Sequence, residues 1–317
     1  MNIILFWSSQ VQADESYEQW LEKTIDLSYL HELALNSHIK LYKNIFLLTY
    51  QRFSDKIVIP NEIKVLNADE FFPSKDAHES MRKGHSVAHI SDLVRFRLAN
   101  EKEGVVLDMD AVSINPLPNI EAFCSTSITK RTGVMQIKFG PKHPFFKTDG
   151  TWDGRALSVF PFKVHSSIKN DINDLCTKIQ QSLSESPKKS SKGWNYIMWE
   201  MKNIANSNDN VQVMKPIQCC PIPAWKAAGN CYSLDAPTKF DGKTHLFGNL
   251  LPSIDQIFEQ SYFIQHFFES SYKSAKIKTD FWERIKKGSL LEKEVEFVLG
   301  KNWRKVKKEH NLSKFIK

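Results

Sequence analysis

C-x-x-C pairs, long apolar runs and internal repeats are all missing from this chain. Its five cysteines, Cys124, Cys176, Cys219, Cys220 and Cys231, are odd in number and scattered over 317 residues. That pattern argues for reduced thiols and against a zinc site. No apolar run nears the roughly 18 residues that cross a bilayer as a helix. The apolar opening, residues 2–7, is too short for the core of a signal peptide, and no basic stretch precedes it. Val11-Gln12-Ala13 imitates a cleavage site, yet residues 2–7 predict a first buried strand instead. One stretch is of low complexity: residues 182–192, Ser-Leu-Ser-Glu-Ser-Pro-Lys-Lys-Ser-Ser-Lys, predict a surface loop.

What is present is ordinary for a folded protein: 41% apolar residues and enough chain for a large core. The net charge of +7 is concentrated at one end, because residues 301–317 hold seven Lys or Arg and one Glu. Trp282, Arg284, Lys286 and Lys287 form a second basic-aromatic cluster just upstream. Such a segment suits an anionic membrane surface, where each Lys or Arg contributes about 1 kcal/mol. Nucleic acid is not expected as a partner, since no recognised binding module accompanies the charge.

Strand-like and helix-like segments alternate through the first part. Residues 3–7, 44–49, 63–66 and 105–107 predict strands. Residues 14–35 have helical spacing through Tyr17, Trp20, Leu21 and Ile25, and a second helix begins at Val87. Residues 194–204 read as helix and 211–214 as strand. From residue 253 onward the pattern is mainly helical, with Ile254, Ile257, Phe258 and Tyr262 on one stripe. This alternation predicts an α/β fold with a mostly parallel sheet, whose ligands bind beyond the carboxyl ends of the strands.

The chemistry concentrates in residues 86–118. Ser86 is a plausible cap for the helix, and Val87, Ile90, Val94 and Leu98 give it a core-facing stripe. Gly104 reads as its C-terminal stop. Asp92 and Arg95, three apart, are neighbours beside that stripe. Val105-Val106-Leu107 then delivers Asp108 and Asp110 to a strand end. Two acids there are costly unless a cation or base compensates, and two carboxylates at i and i+2 can reach one hard divalent ion together.

Ser91-Asp92-Leu93-Val94-Arg95 followed by Gly104-Val105-Val106-Leu107-Asp108-Met109-Asp110 resembles the DXD-containing sugar-binding region of retaining GT-A glycosyltransferases. That group includes bacterial polysaccharide glycosyltransferases, the α-1,4-galactosyltransferases and the clostridial glucosylating toxins. Residues 1–7 are similar to their opening strand, residues 139–144 to a later segment ending in His-Pro, and Thr244-His245-Leu246-Phe247 to their late histidine motif. Two features depart: Glu103 stands where a glycine is usual, and Phe247-Gly248-Asn249 follows where Trp then Asn is common.

The resemblance implies a GT-A-type Rossmann-like mixed sheet flanked by helices, with a helical C-terminal part. Residues 1–180 would form the nucleotide-sugar core, 181–252 the acceptor side of the same domain, and 253–317 a basic helical segment. It implies Trp7 stacking on the uracil of a UDP-sugar, and Asp92 and Arg95 bonding the donor sugar. Asp108 would reach the ribose or sugar and water-linked metal, while Asp110 would bind Mn²⁺ or Mg²⁺ directly and His245 would help hold the ion. The activity implied is metal-dependent transfer, with retention, from a UDP-sugar to a glycan, lipid-linked or protein acceptor in polysaccharide or lipopolysaccharide synthesis. The scattered cysteines and the basic tail predict a cytoplasmic setting, peripheral on the inner face of a membrane. Trp152, Asp153, Trp194 and Asn195 are candidates for the acceptor side.

Three other readings compete. One is a toxin-like transferase acting on protein. Another is a haloacid-dehalogenase-like phosphatase, because residues 105–112 also fit hhh-D-x-D-x-V. Asp108 would then be the nucleophile, Asp110 the acid/base, and Asp171 and Asp174 the later acid pair. The third is a non-enzymatic, basic, membrane-binding adaptor, which leaves the four acidic and basic residues without a task.

Overall fold

Strand β1 (Asn2–Phe6) lies inside a seven-stranded sheet of order β3-β2-β1-β4-β7-β6-β8. The computed structural model describes residues 1–128, 155–187, 193–222, 242–243, 245–246, 249–266, 285 and 287–304. β1 pairs in parallel with β2 (Asn44–Thr49) on one side and β4 (Gly104–Val106) on the other. β3 (Ile63–Asn67) extends the parallel run at one edge. β7 (Arg155–Val164) is antiparallel to both β4 and β6 (Ala122–Ile128), and β8 (Val211–Met214) closes the sheet parallel to β6. The sheet is mixed and mostly parallel, flanked by helices, as the alternation of segments predicts. β1, β2 and β4 read as unbroken apolar runs because both of their faces are covered.

Chain order runs outward from β1 through β2 to β3 and then returns to the other side of β1 as β4. The order therefore reverses between β1 and β4. In open α/β sheets a ligand crevice forms at such a reversal, outside the carboxyl ends of the strands. Trp7 follows β1 and Asp108 follows β4, so both stand at that crevice. Leu107 N–H donates to the Ile4 carbonyl at 3.0 Å, which locks the two strand ends side by side.

Helix α4 (Val87–Lys102) crosses beneath the sheet before β4. Ile90, Leu93, Val94, Phe96, Leu98 and Ala99 are all fully buried, so α4 has far more than the single stripe expected. It packs between the sheet and α5 (Lys169–Ser184), and a helix covered on two sides is apolar nearly all round. Asp92 and Arg95 are consequently indoors, not on a flank.

Three expectations are corrected. The helix expected over residues 14–35 is two, α1 (Tyr17–Glu22) and α2 (Tyr29–Leu41). Ser16 with Gln19 and Ser28 with His31 each make a capping box, and between the helices Ile25 bridges to Phe53. Gly104 does not stop α4. Glu103 is the C-cap, at φ 52°, and Gly104 already belongs to β4. A Cβ on Gly104 would lie 2.8 Å from the Asn2 carbonyl oxygen, so the glycine is there for close approach to β1. Finally, the helical stripe beyond residue 253 ends early. After α8 (Ile254–Gln260) the chain enters β11 (Phe263–Gln265), antiparallel to β5 (Ala111–Ser113). A short apolar run such as Phe263-Ile264 does not declare strand or helix by itself.

The β5–β11 ladder is packed against α2 and α9 (Leu290–Leu299) through a second apolar cluster of Leu30, Leu33, Val112, Ile264, Leu291 and Val295. No helix among the described residues is long and apolar enough to cross a membrane. Residues 139–144, Trp152, Asp153, Cys231, Trp282, Arg284, Lys286 and residues 305–317 lie outside the described part. At the start of the basic tail, Trp303 is a core residue, and Arg304 donates to the Glu292 carboxylate at 2.7 Å.

Candidate functional site

The site grows from the carboxyl end of β4. Asp108 and Asp110 lie in the turn between β4 and β5, closed by Ala111 N–H donating to the Asp108 carbonyl at 3.1 Å. The two acids sit in different surroundings. The Asp108 side chain is 36% exposed, whereas Asp110 is buried at 8%.

Beneath them Arg95 is the organising group. It is 3% exposed and stacks on the Phe160 ring, its guanidinium carbon 3.9 Å from the ring centre. Its Nη1 donates to Asp108 Oδ1 at 2.9 Å and also to the Leu107 carbonyl. Its Nη2 donates to Asp92 Oδ1 at 3.2 Å, and its Nε to the Ser91 carbonyl at 3.3 Å. Arg95 thus clamps the end of β4 to α4, and its planar fork does so at fixed angles. Removing one member of such a buried ion pair costs about 3–5 kcal/mol, mostly because the other charge is stranded.

Asp92 is 1% exposed. Burial pushes its carboxyl up to about 7; the Arg95 guanidinium opposes this, and the Asp108 charge adds to it. Its second oxygen, Oδ2, is buried with no hydrogen-bond partner. Asp92 and Arg95, to which the family resemblance gives donor-sugar contacts, are brought together here with Asp108. Their hydrogen bonds run to protein groups, and Asp108 is the exposed end of the trio.

Residue 265, not singled out by sequence reasoning, completes the arrangement. The ladder register sets Gln265 opposite Ala111, next to Asp110. Its Nε2 donates to Asp108 Oδ2 at 3.1 Å and to Asp110 Oδ1 at 2.6 Å. One amide group therefore touches both carboxylates. Gln265 is 1% exposed, and its Oε1 is buried with no partner. An orphaned buried acceptor costs about 1–3 kcal/mol. His266, the next residue, holds the ladder end through its backbone N–H, which donates to the Asp110 carbonyl at 3.3 Å. Its ring lies 2.9 Å from the buried Glu294 of α9, so the C-terminal helix is tied to the site.

Trp7 stands across the crevice. Its Nε1 donates to the Asp26 carbonyl at 2.9 Å, and its ring meets His31 edge-on, 4.2 Å between centres. His245 belongs to a separate hairpin of β9 (His245–Leu246) and β10 (Asn249–Leu250). Its side chain lies outside the described residues, as do those of Trp194 and Asn195 on α6 (Gly193–Ser207). The second acid pair a phosphatase would need is at the other end of the sheet. Asn100 Nδ2 donates to Asn173 Oδ1 at 2.6 Å, which places Asp171 and Asp174 by the last turns of α4. That is about 12 Å along the helix from Asp92.

Among the described residues no three His, Cys, Asp or Glu side chains converge on one point. The Asp108 and Asp110 carboxylates do meet, at the Gln265 amide nitrogen, and carboxylate oxygens fit Mg²⁺ or Mn²⁺ better than a softer ion. No family model matches the sequence, and no curated protein matches it. Among solved structures, a chain described as PaToxG Glycosyltransferase is 12% identical over 65% of this chain and 73% of that one, with a TM-score of 0.34. A likeness of that size carries no argument, and function has to be read from the site itself.

Proposed function

We propose that this chain is a metal-dependent glycosyltransferase, moving a sugar with retention from a UDP-sugar to a glycan or lipid-linked acceptor. One observation carries the reading: Asp108 and Asp110 present oxygens to a single amide group at the carboxyl end of β4, beside the point where strand order reverses. Acids converging there suit a divalent ion shared with substrate phosphates. The ion, when bound, would neutralise the charge that develops on the departing diphosphate. Asp110 and Asp108 would hold it, and Arg95 would fix the angle of Asp108. Trp7 would offer an aromatic surface to the base on the β1 side. A lipid-linked glycan as acceptor would account for the basic segment at residues 301–317.

The test is calorimetric titration of UDP into the protein with Mn²⁺ and again with EDTA, followed by a panel of UDP-sugars. Binding that vanishes with the chelator, and turnover of one donor, support the transferase. Binding indifferent to both EDTA and Asp110→Ala would sink it.

A further inference from the structure

We propose that Gln265 is the third protein ligand of the divalent ion held by Asp108 and Asp110, through its Oε1 after the side-chain amide turns over. The inference rests on the metal site of the proposed function and adds to it a residue that no motif identifies.

The argument starts from a mismatch. Gln265 Nε2 spends its donors on the two carboxylates, at 3.1 and 2.6 Å, so it occupies the place from which a cation would reach both. Meanwhile Oε1, the acceptor of the same group, is buried without a partner. An amide nitrogen and oxygen exchange places by a half-turn about the last side-chain torsion. That turn would be repulsive with the acids alone, because three oxygens would face one another. A divalent ion between them reverses the sign, and all three become ligands. Without the ion the NH₂ group stands in for it; with the ion the oxygen does.

The backbone leaves little else free to move. Gln265 is fixed opposite Ala111 in the ladder, and the neighbouring His266 N–H holds the Asp110 carbonyl at 3.3 Å. Only the side-chain end has to turn. The alternative role, a hydrogen-bond donor seated on the very oxygens the ion would take, predicts the opposite effect on metal affinity. Such a donor competes with the ion, so its loss would leave binding unchanged or tighter.

The experiment is Mn²⁺ titration of the full chain, read by the electron paramagnetic resonance of the free ion, without nucleotide and then with UDP. Wild type, Asp110→Ala, Gln265→Met and Gln265→Asn are compared. Gln265→Met keeps the volume and removes the acceptor. Gln265→Asn keeps an amide but draws it back by one methylene, which covers the case where the methionine variant does not fold. We expect Asp110→Ala to lose the ion, and each Gln265 variant to bind it about tenfold more weakly or worse. Equal or tighter binding in a folded Gln265 variant, with Asp110→Ala still defective, overturns the role of Gln265 and leaves the metal site standing. Wild type that binds no Mn²⁺ under either condition overturns both.

Discussion

Two buried polar networks grip the two ends of residues 108–113, and they are built differently. At the first end Arg95 joins Asp92, Asp108 and the Leu107 carbonyl, and the network opens to solvent through Asp108. At the other end Ser113 N–H donates to Ser37 Oγ at 2.8 Å, and Ser113 Oγ lies 2.7 Å from His38 Nδ1, with every member fully buried. The first network carries charge and delivers it to the crevice. The second is neutral and closed, and it seats α2 on the β5–β11 ladder. A single turn of chain is thus held by chemistry at one end and by packing at the other.

The largest expected effect separates the two by function. Asp110→Ala should lower sugar transfer by about 10³-fold, the scale of losing a main electrostatic stabiliser of developing charge. Ser113→Ala should leave transfer close to wild type while costing about 1–3 kcal/mol of stability through the unpaired groups it leaves. Release of UDP and urea unfolding, measured on both variants, check this. Transfer that survives Asp110→Ala would put the chemistry elsewhere.

Arg95 tests how far stability and chemistry are joined in the first network. Arg95→Met should cost about 3–5 kcal/mol, because buried Asp92 and the Leu107 and Ser91 carbonyls lose their partner, and Asp92 must stay charged or take up a proton. Adding Asp92→Asn should recover part of that loss, since the stranded carboxyl goes with it. Transfer should stay low in the double variant, because Asp108 has lost the donor that aims it. Urea midpoints and UDP release on the single and double variants separate the two effects.

How much of this could be read beforehand depends on range. β1, β2, β3 and the α4–β4 unit are local patterns of apolar residues, and Asp108 and Asp110 follow from a strand end within that unit. Asp92 and Arg95 were visible as neighbours three apart. Their burial was not, because it depends on α5 covering the far side of α4. Gln265 is 155 residues from Asp110, on a strand of three residues whose apolar part is too short to show a period. A polar residue closing the run Phe263-Ile264 was the available signal, and it is a weak one. The break between α1 and α2 is different in kind. Ser16 and Ser28 are ordinary capping residues in plain view, but the apolar spacing through Ile25 hid them.

The smallest effect is the one that distinguishes the networks by sign. Burial pushes His31 and His38 of α2 from 6.5 down to about 3. Between those values the unfolded chain binds more protons than the folded one. The stability these histidines contribute is therefore present above about pH 6.5 and lost as pH falls, by up to about 1.4 kcal/mol per pH unit for each. Asp92 runs the other way. Burial pushes it from 3.8 up to about 7, so its contribution is full below 3.8 and is lost as pH rises through 7. Across about pH 4.5 to 6.5 the histidines outnumber the acid, and wild-type stability should rise with pH. His38→Asn should flatten that rise, and Asp92→Asn should steepen it. Urea midpoints taken across the range read the slopes directly. Parallel slopes in all three proteins would mean that neither network titrates as its burial requires. A change confined to one variant would show which end of residues 108–113 senses pH.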